Sequence, residues 1–479
     1  MASTIENGVL DMKALCLVIT VLYAAASCVT REAGGSEAER VVAVVDVTVI
    51  PMGSARQLLH QTVVIRDGLI AELGPATTVL VPAGAQQISG ASLYLMPGLI
   101  DAHVHLRDPS ELLSFVAHGV TGVVQLSGPS GNVSNMIELR ERVVRGDILG
   151  PNIYTSGRIL DGDPLIFPGV SSVVRTPNEA RRLVEAQLAA GADVIKVYNN
   201  LASDELRAVT RAAHEHGVSV WGHIPRIDGR STALQQALAA GLNVIAHGEE
   251  VFFTMLYRDV ESQLDRELVP IVDQDLLSDA VRLIEKNGVA VIPNLSFVAM
   301  TRAQLDDVEK LWTNPEAQFL HPTVLNMWKR QNPTSRPDLR RFDLRERGKQ
   351  GVVRQLTLAL NDVGVPLLLG TDASAPGMFP GKSAHIELTE LVAAGLTPFQ
   401  ALAAGTRNPG RFLTKHVRGS PPLGTVTVGS CANLLLLEAD PLVDISHVAQ
   451  IAGVVLRGKW YARSQIDSMR VAQAARHGR

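Results

Sequence analysis

Pro97-Gly98-Leu99-Ile100-Asp101-Ala102-His103-Val104-His105 closes a mostly apolar run that begins at Ala91. It reads as a buried strand that turns His103 and His105 to one face, because side chains two apart on a strand point the same way. Two imidazoles at a strand end are well placed to hold a metal ion. Alone, a His-x-His pair is weak evidence, since histidines also pack in cores and sit on surfaces. Four more residues fall at the ends of other predicted strands. Lys196 ends Ala192-Asp193-Val194-Ile195-Lys196, and His223 ends Val218-Ser219-Val220-Trp221-Gly222-His223. His247 ends Asn243-Val244-Ile245-Ala246-His247, and Asp372 ends Val365-Pro366-Leu367-Leu368-Leu369-Gly370-Thr371-Asp372.

Working outward, the strand candidates are Leu99–His105, Val120–Leu126, Asn152–Ser156, Asp193–Tyr198, Val218–His223, Asn243–His247, Val289–Asn294 and Pro366–Asp372. Helix-like segments such as Thr176–Gly191, Ser203–Gly217, Ser231–Gly241 and Leu276–Gly288 lie between them. Their apolar residues recur at steps of three and four, and each closes on a glycine where a helix C-cap needs one. Short apolar strands alternating with amphipathic helices imply parallel strands and right-handed crossovers. The pattern predicts an α/β fold, a (β/α)₈ TIM barrel over 96–415. Every candidate ligand then falls at the C-terminal ends of the strands, where such barrels place their sites.

The flanks, 29–95 and 416–464, read as short strands with turn signals such as Arg66-Asp67-Gly68 and Leu73-Gly74-Pro75. Expected strands include Gly424-Thr425-Val426, Ala432–Leu437 and Gly453–Lys459. The two flanks are expected to pair into one small β-sandwich, with a short helix or tail over 465–479. The polar stretch Arg302–Gln350 is too long for an ordinary loop. It reads as a helical insertion, either a lid over the site or a solvated helix pair.

Residues 1–28 read as a leader. Met12-Lys13 precedes the apolar run Ala14–Ala26, and Met12 is a candidate true start. Ala25-Ala26-Ser27-Cys28 resembles a lipobox, with Ala25 where Leu is usual. The protein is therefore expected to be exported: periplasmic, secreted, or a lipoprotein whose membrane contact is an anchor at Cys28. With the leader removed, Cys431 is expected to be a free thiol. Among 479 residues, 46% are hydrophobic and the net charge is −4, which suits a globular enzyme and gives no reason to expect a nucleic-acid partner.

As chemistry, His103, His105 and Asp372 can hold one divalent ion, and His223 and His247 a second. Imidazoles with few carboxylates suit Zn²⁺, and also Co²⁺, Mn²⁺ or Fe²⁺. Lys196 as an ammonium would repel both ions. Carbamylated by CO₂, it becomes an anionic two-oxygen bridge. Otherwise it is an ion-paired or surface lysine.

The chain resembles the amidohydrolase superfamily, in the branch similar to imidazolonepropionase and the Xaa-Pro and Xaa-Arg dipeptidases. The resemblance spans Val41 to Tyr461. It rests on residues 97–105, Asp193–Tyr198, Gly370-Thr371-Asp372, His385-Ile386-Glu387-Leu388 and the stretch Gly395–Pro409. One departure is Ala432-Asn433-Leu434, where Ala-Asp-Leu is usual. The resemblance implies a binuclear, metal-dependent hydrolase in which a metal-bound hydroxide attacks a small-molecule amide: a dipeptide, peptide-like or N-acyl amino acid substrate. It implies Asp372 as the proton carrier and Tyr198 as an oxyanion donor that also contacts substrate; Tyr198 reads equally as a barrel-packing residue. Arg226 is the candidate for a substrate carboxylate, against the plainer reading of a surface arginine. His118 and His385 are not read as ligands, and a homo-oligomer is compatible with the fold.

The rival readings are a lactonase, carbamate or ester hydrolase on the same site, a mononuclear deaminase, and a non-catalytic exported binding protein. Deaminases on this fold usually place a glutamate three residues after the strand-five histidine. Arg226 stands there in this chain.

Overall fold

The computed structural model describes residues 41–128, 135–228, 230–256, 272–332 and 340–478. The expected leader, with Met12 and Cys28, lies outside them.

The barrel is built from β6 (Leu99–Val104), β7 (Val120–Gln125), β8 (Asn152–Thr155), β11 (Ile195–Val197), β12 (Val220–Gly222), β13 (Val244–Ala246) and β14 (Ala290–Ile292). Every residue of β6 and β7 is buried, as expected of parallel strands covered on both faces. β6, β7 and β8 pair in parallel, and so do β11 through β14. Asp193 N donates to Thr155 O at 2.8 Å, which joins β8 to β11.

Segment 366–373 is the eighth stave. Leu367 bridges Val291 and Ala373 bridges Val104. Asp372 N donates to His103 O at 2.8 Å, and Ala102 N to Leu369 O at 2.7 Å. The expected regular strand over Pro366–Asp372 is thus replaced by isolated bridges. Pro366 has no N–H to give a ladder, and Asp372 breaks the extended backbone with φ 62°. The expected strands elsewhere are trimmed in the same way, so that β12 and β13 stop one residue before His223 and His247. The helices end as anticipated, on Gly191, Gly217, Gly241 and Gly288, all with positive φ.

Two strands were not anticipated. β9 (Ile159–Asp161) and β10 (Ser171–Val173) form a parallel pair, with β9 against β11.

The small domain is one eight-stranded sheet. It combines β1 (Val41–Val49), β2 (Leu58–Arg66), β3 (Leu69–Pro75), β4 (Gln86–Ser89) and β5 (Tyr94–Pro97) with β15 (Leu434–Leu437), β16 (Ile451–Leu456) and β17 (Lys459–Ala462). β15 joins the two flanks by pairing antiparallel with β5. Alternating residues such as Val42, Val44, Val63, Ile65, Leu434 and Val455 enclose its own core. The fold is a TIM barrel with this β-sandwich domain beside it. Gly424–Val426 is not a strand; Val426 N donates singly to Pro51 O at 3.0 Å. Cys431 is disulfide-bonded, which corrects the expectation of a free thiol.

The stretch from 302 is helical where described: Leu295–Asp306, Glu309–Trp312, Pro315–Phe319, Pro322–Gln331 and Arg340–Asp362. Residues 333–339 lie outside the described ones. Leu311, Leu320, Val324 and Trp328 pack with Phe379, and Trp328 Nε1 donates to Ser374 O at 3.0 Å, just past the eighth stave. The C-terminal stretch is an ordered helix, Arg463–Arg476, held by Arg463 to Ala117 O and Gln473 to Ser110 O. Among the described residues, no helix is long and apolar enough to cross a membrane.

Candidate metal centre

His103 lies in β6 and His105 just beyond it, while Asp372 comes from the eighth stave. Their Nε2 and Oδ1 atoms converge. His105 Nε2 is 2.8 Å from Asp372 Oδ1, His103 Nε2 is 3.4 Å from it, and the two Nε2 atoms are 3.2 Å apart. One ligand atom from each residue lies within 4.8 Å of the other two. Two imidazole nitrogens and a carboxylate oxygen aimed at one point form an acceptor-rich arrangement that a cation would satisfy.

Gly370 makes the approach of the two staves feasible. A Cβ there would stand 2.5 Å from Ile292 Cγ2 and 2.9 Å from His103 Cβ.

His247 follows β13 with φ 77°, which turns its ring inward to 4.6 Å from that of His103. His223 follows β12, and its ring lies 4.8 Å from that of His247. Lys196, in the middle of β11, is 1% exposed, and its Nζ has no hydrogen-bond partner. Burial lowers its ammonium to about 8, against the pull of Asp372 and Glu250. His103 Nδ1 and His247 Nδ1 are also buried without partners. All six expected ligands therefore surround one end of the barrel. The His103–His105–Asp372 trio is tight, and His223, His247 and Lys196 lie alongside it.

Burial, aided by the charge of Lys196, holds the His103 and His223 imidazoles well below their usual range; burial also lowers His105 and His247. Neutral imidazole is the ligating form. Burial alone would raise the carboxyl of Asp372, but His105, His247 and Lys196 hold it at about 2, so it is ionised. The donor set fits a divalent metal: neutral nitrogens, one carboxylate, and a buried amine with no hydrogen-bond partner.

The Tyr198 ring lies tilted against that of His223 with centroids 3.9 Å apart, and burial raises its phenol well above the usual value, so the proton stays on. Arg226 faces Glu250, with its guanidinium 3.3 Å from Oε1, and lies over the Phe253 ring at 5.3 Å. His118 and His385 sit elsewhere. His118 lies 3.4 Å from Glu316, and His385 Nε2 donates to His118 O at 2.8 Å.

Three supporting groups were not read from the sequence. Glu250 is 1% exposed and lies 3.1 Å from His223 Nδ1; it also accepts from Ile224 N at 3.2 Å. Asn199 Oδ1 is 3.0 Å from the same Nδ1. With two oxygens facing Nδ1, the network assigns the proton there and leaves Nε2 as the ligand atom. Asp101 is fully buried. It accepts from His103 N and Thr371 N through Oδ1, and from Thr371 Oγ1 at 2.6 Å through Oδ2. A buried acid three residues after the strand-six histidine was the available signal for Glu250.

A family model described as "Amidohydrolase family" matches residues 94–461. Ochratoxinase of Aspergillus niger is 22% identical over 451 residues, covering 82% of this chain and 80% of that protein. Urease subunit alpha 1 of Streptomyces avermitilis is 30% identical over 188 residues; the match takes in 36% of this chain and spans only 31% of that protein. Among solved structures, a bottromycin amidohydrolase superposes with a TM-score of 0.71 at 22% identity, covering 96% of this chain and 94% of that one. A Xaa-Pro dipeptidase with bound methionine gives 0.64 at 20% identity, covering 88% of this chain and 100% of that one.

Proposed function

Since the chain belongs to the amidohydrolase family, and is thus a hydrolase, we propose that it cleaves a C–N amide bond of a small molecule: a dipeptide, a peptide-like amide or an N-acyl amino acid. The observation that carries this is the convergence of His103, His105 and Asp372 at the barrel mouth, beside a buried Lys196 whose Nζ has no hydrogen-bond partner. His103, His105 and Asp372 would hold one divalent ion, Zn²⁺ by donor type, and His223 and His247 a second. Lys196 would join them as a carbamate, by forming a bond from Nζ to the carbon of CO₂ with loss of a proton. When bound, such ions bring the pKa of water toward about 7 and polarise a carbonyl.

The rest is done by side chains. Asp372, ionised and 2.8 Å from His105, takes the proton of the attacking water and returns it to the leaving amine. Tyr198 keeps its proton and can donate to the oxygen on which charge develops. Glu250 and Asn199 hold the ring of His223. The names of the ochratoxinase and the Xaa-Pro dipeptidase support a small amide as the substrate class. The run 12–28 supports an exported protein.

Elemental analysis tests the site. The parent should carry about two metal ions per chain, with a clear drop in His103→Ala and in Lys196→Ala. About one ion, unchanged in Lys196→Ala, would remove the bridge. Amine release from a dipeptide and N-acyl amino acid screen is the expected activity. Alcohol release from esters alone would replace the amide reading with a lactonase or esterase.

A further inference from the structure

We propose that Phe167 forms an apolar wall of the substrate site, and that the substrate carries an aromatic or branched aliphatic group beside its scissile bond. This rests on the hydrolase reading above and goes beyond it in naming the group that is recognised.

β9 runs parallel to β11, with Leu160 opposite Val197, so the loop 162–170 leaves the sheet on the same side as Tyr198. Phe167 is on that loop. Its ring meets the Tyr198 ring edge-on at 5.6 Å, and the Tyr198 ring in turn lies tilted against that of His223 at 3.9 Å. Phe167 is nevertheless 48% exposed and Ile166 42%.

Single exposed apolar residues are ordinary. Phe167 differs because it packs against Tyr198 from a loop that is fixed. Asp161 Oδ1 accepts from Gly162 N at 2.9 Å and Asn200 N at 2.8 Å, and Asn200 Nδ2 donates to Pro164 O at 2.7 Å. Arg158 donates to Ser172 Oγ and Gly169 O. Phe167 O accepts from Val170 N and Ser171 N. A large ring held rigidly in water, one ring away from a candidate oxyanion donor, is preorganised for an apolar group of a ligand. The loop hydrogen bonds keep it from folding back onto the core.

The test uses the metal-loaded full chain and two substrate pairs, N-benzoylglycine against N-acetylglycine and N-acetylphenylalanine against N-acetylalanine. They place the ring on either side of the amide. The parent should favour the aromatic member of one pair by about tenfold or more in kcat/KM. Phe167→Ala should reduce that ratio by at least about fivefold, and Phe167→Leu should keep most of it. An equal loss on both members of each pair, or no preference in the parent, overturns the wall. Ketomethylene isosteres of the same pairs, with CH₂ in place of the amide NH, read binding by calorimetry without turnover. Aromatic binding that weakens in Phe167→Ala while no amide is cleaved would sink the hydrolase reading and uphold the wall. A change confined to oligomeric state in light scattering would make this face a contact between copies and overturn the proposal.

Discussion

Glu250→Gln isolates the contribution of one buried oxygen to metal affinity. In the parent, Glu250 faces three donors: His223 Nδ1 at 3.1 Å, Arg226 at 3.3 Å and Ile224 N at 3.2 Å. A carboxylate accepts from all three. Glutamine keeps the volume but has one oxygen, so one donor must meet an NH₂ group. An unmet buried donor costs about 1–3 kcal/mol. Where that donor is a ligand's second nitrogen, the loss matches the roughly 10- to 100-fold fall in metal affinity seen when such supports are removed. Asn199 Oδ1, 3.0 Å from Nδ1, can retain the proton's position, which puts the expected loss toward the lower end and makes Asn199→Ala in the same chain raise it. The assay is competition for Zn²⁺ against a chromophoric chelator at pH 8, where Glu250, pushed up to about 7 by burial, is ionised. Glu285→Gln, on an exposed helix position, is the control. A Glu250→Gln protein with native circular dichroism and parental zinc affinity would refute the argument that His223 is held through this carboxylate.

Two other outcomes follow from the packing around Glu316 and Gly370. Glu316 ties the C-terminal helix down through Arg470 and lies 3.4 Å from His118. Burial would raise its carboxyl, but these neighbours hold it at about 2 against an ordinary 4.5. A depressed carboxyl stabilises above the unfolded value and loses that contribution as pH falls toward the folded one. Glu316→Gln should therefore cost about 2–3 kcal/mol at pH 7, with the gap to the parent closing below pH 4.5. A urea midpoint difference independent of pH would contradict it. Gly370→Ala pushes a methyl against Ile292 and His103, at 2.5 and 2.9 Å. It should destabilise by about 1–3 kcal/mol and lower metal content; parental zinc content and melting would show that the stave can shift freely.

The barrel was legible because its signals are local. Apolar runs, helix-spaced faces and glycine stops each lie within one element, and their order alone implies parallel strands. β9 and β10 escaped notice because three residues are too few to show a period. The eighth stave was read correctly as to position and incorrectly as to regularity, since nothing in Leu367–Leu369 shows that only bridges form. The candidate ligands were legible as residue types near strand ends, and the structure brings those side chains to one end of the barrel. Their supports were not. Glu250 lies in the first turn of the short helix Glu249–Val251, where an acidic residue is ordinary, and its partners His223 and Arg226 come from another loop. Asp101 stood in the open within the quoted stretch, but its partner Thr371 is 270 residues away.

Across that separation, the hydrogen bonds that close the barrel also hold the candidate ligands beside one another. His103 O accepts from both Thr371 N and Asp372 N, and Asp101 accepts in turn from His103 N and from Thr371 N and Oγ1. The first and last staves are therefore locked at the level of the ligands. His247 and Asp372 both take left-handed backbone, φ 77° and 62°, which costs on the order of 1 kcal/mol or more for a residue with a side chain. A regular strand would avoid that cost, but the next side chain would then alternate away from the mouth. The left-handed break just past β13 and near the end of the eighth stave is what aims His247 and Asp372 inward. The cross-stave hydrogen bonds keep the break at Asp372 in place, so a change that loosens Asp101–Thr371 should be felt as lost metal before it is felt as lost fold.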